Sequence, residues 1–323
     1  MKEGEKLKQK FKKITLLTAM MVLSAILVAC GGNNSEKETA TTNGEIKVVT
    51  SFTILTDMVE AIGGENVAVH NLVPTGTDPH EYEPLPEDIK AATDADVLFY
   101  NGLNLEGGKD GWFGKMMDAT GQDWDNAYEL TEGVEPEYVV SGDGREEEIN
   151  PHAFLDPHVG VKMAENTIDA LIEIDPDNED YYKENGEAYV AQLQEIADEY
   201  EEKLGEIPEE NRVLVTSEQA YQYMTKRYGL EEGFIWAIDT EENGSPEQIK
   251  SLLAFIKEHE PPVLFVETNV DTRPMETVAA ESGVEIFGEL YSDEIGEKGS
   301  EVDTYVKFLQ YNIDMLHEGL IGE

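Results

Sequence analysis

Short runs of branched apolar residues alternate along the chain with segments whose apolar residues recur at helical spacing. The apolar runs predict strands at residues 46–50, 66–73, 96–100, 212–216, 234–238, 263–267 and 284–287. Between the first two strands, apolar positions from Ile54 to Ile62 share one helical face, and Gly63-Gly64 ends that helix. Because this alternation is typical of parallel sheets covered by helices, we expect an α/β fold.

One predicted helix, residues 178–204, is much longer than the others. Its apolar residues recur at steps of three, four or seven: Tyr182, Tyr189, Leu193, Ile196, Tyr200 and Leu204. No Ser/Gly linker and no proline pair separates the two halves of the chain. We therefore predict two lobes, 45–177 and 205–323, each with a parallel sheet flanked by helices and joined by this one long rigid helix. The alternative is an ordinary crossover helix inside one larger domain.

The N-terminal segment has the pattern of an export signal. Six lysines lie between Lys2 and Lys13, and the apolar run 14–28 that follows is too short to span a membrane comfortably. The ending Leu27-Val28-Ala29-Cys30 resembles a bacterial lipobox, which implies cleavage of residues 1–29 and lipid on the Cys30 sulfur. Residues 30–44 are small and polar and are expected to form a flexible tether. The alternative is an uncleaved signal anchor with an incidental cysteine.

Composition limits the remaining chemistry. Cys30 is the only cysteine, so we expect neither disulfides nor thiolate ligands. The chain has 23 Lys and Arg against 69 Asp and Glu, a net charge of −46. Removal of 1–29 takes away six lysines and two glutamates, which leaves 17 basic and 67 acidic residues and a charge of −50. This charge argues against nucleic acid and anionic membrane surfaces as partners.

Two of the six histidines lie in turns that proline stiffens. His80 is in the turn 78–84, which contains two prolines, and His152 follows Pro151 in a second turn. Proline fixes φ and removes a backbone donor, so both imidazoles are presented on stiff loops. Two such turns in a chain with few histidines predict a metal site.

Carboxylates follow two strands of the second half. Glu218 comes just after the strand 212–216 and Ser217, and Asp293 lies on the loop after the strand 284–287. In open α/β sheets, ligands bind at the carboxyl ends of strands. We therefore expect two residues from each lobe to converge on one cleft.

With these motifs the chain resembles the metal-specific substrate-binding family of ABC transporters, and within it the manganese-binding lipoproteins of the pneumococcal surface antigen type. The segments that carry the resemblance extend over nearly the whole mature chain: 78–89, Tyr100-Asn101-Gly102-Leu103-Asn104-Leu105-Glu106, Pro151-His152-Ala153-Phe154-Leu155, Thr216-Ser217-Glu218, Thr240-Glu241-Glu242, Ser245-Pro246-Glu247-Gln248-Ile249-Lys250 and Phe265-Val266-Glu267. Carried over by motif, the family's metal ligands fall on His80, His152, Glu218 and Asp293. Asn150 stands where the family usually has aspartate, and Phe154 replaces a frequent tryptophan, but neither change removes a ligand.

The resemblance implies a function without a catalytic step. A monomer, lipid-anchored to the outer face of the cytoplasmic membrane, would capture Mn²⁺ in the cleft between the lobes and deliver it to an ABC permease. Oxygen-rich ligation without thiolates suits Mn²⁺. Zinc-selective relatives more often have a third histidine at the position of Glu218 and a His-rich loop near 141–149, whereas this loop is acidic. The same architecture selective for Zn²⁺ or Fe²⁺ remains the alternative, because zinc binds most N/O sites more tightly.

Two other classes of function compete with transport. A metallohydrolase needs an open metal position and a nearby base, and four protein ligands leave little room for them. An adhesin with a structural metal would leave no clear mark in the sequence.

Further residues are weaker candidates for the metal site. His158 follows Pro157 and is interpreted first as a helix-start residue and second as a neighbour of the ligands. Glu267 ends a strand with Arg273 nearby, which favours an ion pair over a supporting role at the metal. His70, His259 and His317 are expected at an edge strand, at a helix end and in the terminal helix. Trp112 and Trp236 are expected in the core.

Overall fold

Strands and helices alternate along the chain in the computed structural model, which describes residues 45–140, 147–238 and 244–322. The strands are β1 Ile46–Phe52, β2 Val67–Val73, β3 Val97–Tyr100, β4 Ala127–Glu129, β5 Tyr138–Val140, β6 Glu147–Ile149, β7 Val213–Glu218, β8 Glu231–Trp236, β9 Leu264–Glu267 and β10 Ile286–Leu290. The helices are α1 Thr53–Gly63, α2 Pro86–Asp94, α3 Trp112–Thr120, α4 Pro157–Ile174, α5 Glu179–Glu206, α6 Gln222–Tyr228, α7 Pro246–His259, α8 Arg273–Ser282 and α9 Tyr305–Ile321.

Parallel pairing dominates the sheets in both halves. The first half has a four-stranded sheet in the order β2-β1-β3-β4, with every neighbouring pair parallel. In the second half β7 pairs with β8 and β9 pairs with β10, again in parallel, and β7 lies beside β9. A short antiparallel hairpin, β5-β6, precedes the His152 turn. The expectation of parallel α/β sheets flanked by helices is confirmed.

Helix α5 is the long helix predicted from the sequence, shifted by one residue at its start and two at its end. Its 28 residues span about 42 Å. The predicted apolar stripe is buried, and its tyrosines also make hydrogen bonds. The Tyr189 hydroxyl donates to Asp57 in α1 at 3.1 Å, and the Tyr200 hydroxyl donates to the Leu309 carbonyl in α9 at 3.0 Å. The helix is therefore fastened to elements of both halves.

Some strands begin or end at residues other than those predicted, because pairing with a neighbouring strand sets their boundaries. β8 begins at Glu231, three residues before the apolar run, because its parallel register with β7 sets Glu231 opposite Val213. β10 ends at Leu290, paired with Glu267 in β9. β4 and the hairpin β5-β6, each strand only three residues long, were not predicted. Hydrogen bonding to a neighbour extends a strand past its apolar residues, which composition alone does not reveal.

The boundaries of the two lobes stay a prediction. The larger hydrophobic cluster runs from β1 through α5 to α9, and a second cluster lies around β7 and β9. The predicted signal peptide 1–29, the tether 30–44 with Cys30, and the segments 141–146 and 239–243 lie outside the described residues. Within the described part of the chain, no helix has both the length and the apolar character needed to cross a membrane.

Candidate metal centre

Four side chains from both halves of the chain meet at one point. His80, His152, Glu218 and Asp293 each offer one nitrogen or oxygen atom, and these atoms all lie within 4.8 Å of one another. His152, Glu218 and Asp293 are buried, whereas the His80 side chain is 13% exposed. These are the four residues that sequence motifs proposed as ligands.

The distances within this cluster are close to those of a coordination shell. The two imidazole Nε2 atoms are 3.1 Å apart. His152 Nε2 lies 3.2 Å from Asp293 Oδ1 and 3.8 Å from Glu218 Oε1, and His80 Nε2 lies 3.9 Å from Asp293 Oδ1. Metal bonds of about 2.1 Å at tetrahedral angles place ligand atoms about 3.4 Å apart. The observed separations lie on either side of this value, so a divalent ion fits with small shifts.

His80 is held by the stiff turn that its prolines predict. The Asp78 carboxylate accepts the backbone N–H of His80 at 2.8 Å, which closes a local side-chain turn. The indole N–H of Trp112 donates to the Pro79 carbonyl at 2.8 Å. His80 also lines a cavity of about 250 Å³ together with Glu81 and Asn104. This cavity gives solvent access to the cluster through its least buried member.

His152 has a defined ring orientation. It begins a short 3-10 helix after Pro151, and its Nδ1 lies 2.8 Å from Asn150 Oδ1. The backbone N–H of His152 donates to the same oxygen at 3.1 Å, which identifies that atom of the amide as the acceptor. Nδ1 therefore carries the proton, and in the neutral imidazole Nε2 keeps its lone pair for the cluster.

Glu218 is the last residue of β7, and a second buried carboxylate holds the backbone there. Glu267, the last residue of β9, accepts the N–H of Glu218 at 2.8 Å and the N–H of Ser217 at 3.1 Å. Burial raises the pKa of Glu267 to about 7 although these donors act in the opposite direction. The adjacent ends of β7 and β9 thus fix the position from which the Glu218 side chain reaches the cluster.

Asp293 lies on the loop after β10 and is oriented through one of its oxygens. Asn269 Nδ2 donates to Oδ2 at 2.8 Å, and the Ser292 hydroxyl donates to the same oxygen at 3.2 Å. The other oxygen, Oδ1, is buried and receives no hydrogen bond from a residue that the structure describes. Burial raises the pKa of Asp293, but attraction to the imidazoles of His152 and His80 in their protonated form outweighs it, so this pKa lies below its usual value.

The donor set fits a divalent cation. In the neutral His152 ring, the Nε2 lone pair faces Asp293 Oδ1 across 3.2 Å, so two acceptor atoms meet without a proton between them. A cation between them removes this conflict. Two neutral imidazoles and two carboxylates balance a charge of +2, so the filled cluster can be buried without residual charge. That these residues bind a metal stays a prediction.

Of the three other candidates, Glu267 contacts the backbone of a cluster residue, whereas Arg273 and His158 make their contacts elsewhere. The expected ion pair between Glu267 and Arg273 is wrong, because Arg273 is exposed and pairs with Asp271, whereas Glu267 accepts backbone N–H groups. His158 is exposed at the start of α4, where its N–H donates to the capping Asp156. Its helix-start interpretation is confirmed.

The remaining histidines and tryptophans match their predictions. His70 lies on the edge strand β2 beside Asp88, His259 ends α7, and His317 lies in α9. Trp112 and Trp236 are buried.

Two supporting residues were not recognised from the sequence as part of the site. Asn269, which orients Asp293, follows the end of β9 by two residues. Its position at the carboxyl end of a parallel strand was the available indication. The sequence marks Asn150 only as a departure from the family pattern, whereas the structure places it against both the His152 ring and the segment after Glu218.

Comparison with known proteins gives one consistent family. Residues 48–319 match the model of "ZnuA: Zinc-uptake complex component A periplasmic". The manganese ABC transporter substrate-binding lipoprotein PsaA of Streptococcus pneumoniae and the iron ABC transporter substrate-binding lipoprotein MtsA of Streptococcus pyogenes are each 39% identical over 310 residues, which cover 96% of this chain and 99% of theirs. The solved periplasmic zinc binding protein TroA of Treponema pallidum is 26% identical with a TM-score of 0.77, covering 86% of this chain and 99% of its own.

Proposed function

We propose that this chain, which belongs to the zinc-uptake complex component A family and is a substrate-binding protein of a metal ABC transporter, captures Mn²⁺ at His80, His152, Glu218 and Asp293. The single observation that carries the proposal is the convergence of two ring nitrogens and two carboxylates within 4.8 Å. The relatives are substrate-binding proteins rather than enzymes, so the chain is not an enzyme.

Manganese is favoured over zinc by the ligand types. Carboxylate oxygens suit Mn²⁺, and the cluster supplies two of them with no thiolate. The relative PsaA is named for manganese, MtsA for iron and TroA for zinc. The Glu218 carboxylate, where a third imidazole would favour zinc, is therefore the residue on which the choice of metal most depends.

Capture would begin at His80. The ion enters through the cavity of about 250 Å³ that His80 lines with Glu81 and Asn104. His80 and His152 of the first half and Glu218 and Asp293 of the second then replace its water. Glu267 supports this step as a positioning residue, because it holds the backbone N–H of Glu218 at 2.8 Å.

The location follows from the family and from the N-terminal sequence. Substrate-binding lipoproteins of ABC importers act outside the cytoplasm, and several relatives carry the word lipoprotein in their names. We propose that lipid on Cys30 anchors the monomer to the outer face of the cytoplasmic membrane, from which it delivers Mn²⁺ to the permease. Replacement of Cys30 by alanine should abolish incorporation of labelled fatty acid into the protein, and labelling of the variant equal to that of the wild type would contradict the anchor.

The decisive experiment is a competition between Mn²⁺ and Zn²⁺ on purified protein. Glu218→His exchanges a carboxylate for a third imidazole and should lower Mn²⁺ affinity by more than the roughly 10- to 100-fold that loss of a supporting residue costs. Zn²⁺ affinity should fall less, because imidazole suits zinc. Glu202→His, on the exposed face of α5, is the matched control. Unchanged Mn²⁺ binding in Glu218→His would show that Glu218 is not a ligand.

A further inference from the structure

Asn150 is a buried amide whose hydrogen-bonding capacity is fully used. It is 0% exposed. Oδ1 accepts from the backbone N–H of His152 at 3.1 Å and from its Nδ1 at 2.8 Å, while Nδ2 donates to the Gln219 carbonyl at 2.8 Å and to Gln222 Oε1 at 3.1 Å. These are the two donors and two acceptor positions that an asparagine side chain has.

The partners leave only one orientation for the amide. A backbone N–H can only donate and a backbone carbonyl can only accept, so Oδ1 faces His152 and Nδ2 faces Gln219. The main chain of Asn150 is held as well: its N–H donates to the Glu137 carbonyl at 2.8 Å, and its carbonyl accepts from the Tyr223 hydroxyl at 2.8 Å. The side chain therefore has neither a second rotamer nor a flipped amide that keeps these bonds.

We propose that Asn150 is a positioning residue with two separable roles in metal capture, an inference that rests on the proposed function. Its oxygen fixes His152 in the Nδ1–H tautomer, so that the Nε2 lone pair faces Glu218 and Asp293. Its NH₂ group ties His152, from the first half of the chain, to Gln219, the residue after Glu218. One side chain thus couples a ligand from each half.

An aspartate at this position could perform the first role but not the second. A carboxylate accepts the Nδ1–H of His152 as well as the amide does. It has no proton to give to the Gln219 carbonyl, which it would face oxygen to oxygen across a distance of 2.8 Å in the present geometry. The amide is the group of this size that meets two donors on one side and two acceptors on the other.

The first role is tested without metal. Long-range ¹H–¹⁵N correlation spectra show which ring nitrogen of His152 carries the proton in chelator-treated protein at about pH 9, where imidazoles are neutral. The wild type and Asn150→Asp should both show the Nδ1–H tautomer, whereas Asn150→Ala should show a mixture. A single Nδ1–H form in Asn150→Ala, or its loss in Asn150→Asp, would overturn this role. If Asn150→Ala does not fold, Asn150→Asp still decides the matter.

The second role is tested by the rate at which Mn²⁺ leaves the loaded protein after mixing with excess chelator. Asn150→Asp keeps the acceptor for the His152 Nδ1–H but loses the donation of Nδ2 to the Gln219 carbonyl. Gln222→Glu adds the same negative charge beside Asn150 and keeps an acceptor for its NH₂ group, so it is the matched control. Asn150→Asp should release Mn²⁺ roughly three- to tenfold faster than Gln222→Glu, the range for one hydrogen bond. Equal rates would overturn the coupling. Protein that binds no Mn²⁺ but shows the predicted tautomers would refute the proposed function and leave the tautomer role standing.

Discussion

The Glu106→Gln variant should change the pH dependence of stability in a predictable direction. Glu106 is 2% exposed in the loop after β3. Its Oε1 accepts from the Ser51 hydroxyl and from the N–H of Asn101, both at 2.7 Å, and its Oε2 accepts from the N–H of Gly102 at 3.2 Å. Burial nevertheless raises its pKa from 4.5 to about 7. The loop is therefore held by a carboxyl group that resists ionisation.

The sign of the effect follows from the two pKa values. In the unfolded chain the group titrates near 4.5, so its contribution to stability is complete below that pH and is lost as the pH rises through about 7. At about 1.36 kcal/mol per pKa unit, the contribution of Glu106 to the free energy of unfolding changes by about 3 kcal/mol in all. About 2.5 kcal/mol of this contribution is lost between about pH 5 and about pH 8. Because glutamine does not ionise, the stability of Glu106→Gln does not fall in this way as the pH rises.

The assay is urea unfolding of chelator-treated protein at fixed ionic strength, compared with Glu202→Gln on the exposed face of α5. Both variants remove one negative charge, so general charge repulsion changes equally. Glu106→Gln is expected to be less stable at about pH 5, because its NH₂ group faces the Gly102 N–H at a cost of about 1–3 kcal/mol. By about pH 8 it should have gained about 2.5 kcal/mol relative to Glu202→Gln. A difference between the variants that stays constant with pH would refute the raised pKa.

Two further predictions concern the long helix and the ligands. In α5, Gly186→Ala should destabilise the protein by up to about 2 kcal/mol in urea unfolding. The added Cβ would lie 2.3 Å from Ile168 Cγ1, and this overpacking costs more than the gain in helix propensity contributes. Gly205→Ala in the same helix meets no atom within 4 Å and should stabilise by up to about 1 kcal/mol; equal effects would contradict the packing argument. Mn²⁺ affinity measured by chelator competition should fall on mild acidification, since protons compete for the imidazoles, and a flat profile would argue against histidine ligands.

Sequence patterns predicted the elements whose local preferences agree with their final environment. Strand β1 and helix α1 are apolar on the faces that become buried, so periodicity placed both within two residues. The long helix α5 was equally clear, because its buried stripe extends over about six turns. Where pairing with another strand decides the boundary, as at Glu231, the prediction failed by three residues. Such boundaries depend on hydrogen bonds to residues remote in sequence.

The four cluster residues could be predicted from the local sequence, whereas the residues that hold them in place could not. His80 and His152 lie in proline turns, Glu218 ends a strand and Asp293 follows one, so residue type and local pattern together single them out. Asn269 also follows a strand, but an amide is not among the side chains that single out a metal site, and it acts through a contact 24 residues away in sequence. The pairing of Glu267 with the backbone of Glu218, 49 residues away, rather than with nearby Arg273, shows the same limit. Supporting contacts depend on which strand ends become neighbours, and that information is tertiary.

Opening of the cluster should require movement of loops rather than of the long helix. The loop that carries Asp293 is attached to the first half by hydrogen bonds at Ile295: its N–H donates to the Thr53 hydroxyl, and its carbonyl accepts from the Thr75 hydroxyl, both at 3.1 Å. Ile295 belongs to the same hydrophobic cluster as Tyr189 and Tyr200, but it lies in a loop, whereas the two tyrosines lie in a continuous helix. Because local opening follows the weakest packed segment, we infer that this loop releases first. In metal-free protein the Ile295 amide should exchange with solvent faster than amides in the middle of α5, and Mn²⁺ should slow the exchange at Ile295 selectively. Equal protection of both segments, or equal slowing of both by Mn²⁺, would instead indicate that the halves separate as rigid bodies about the helix.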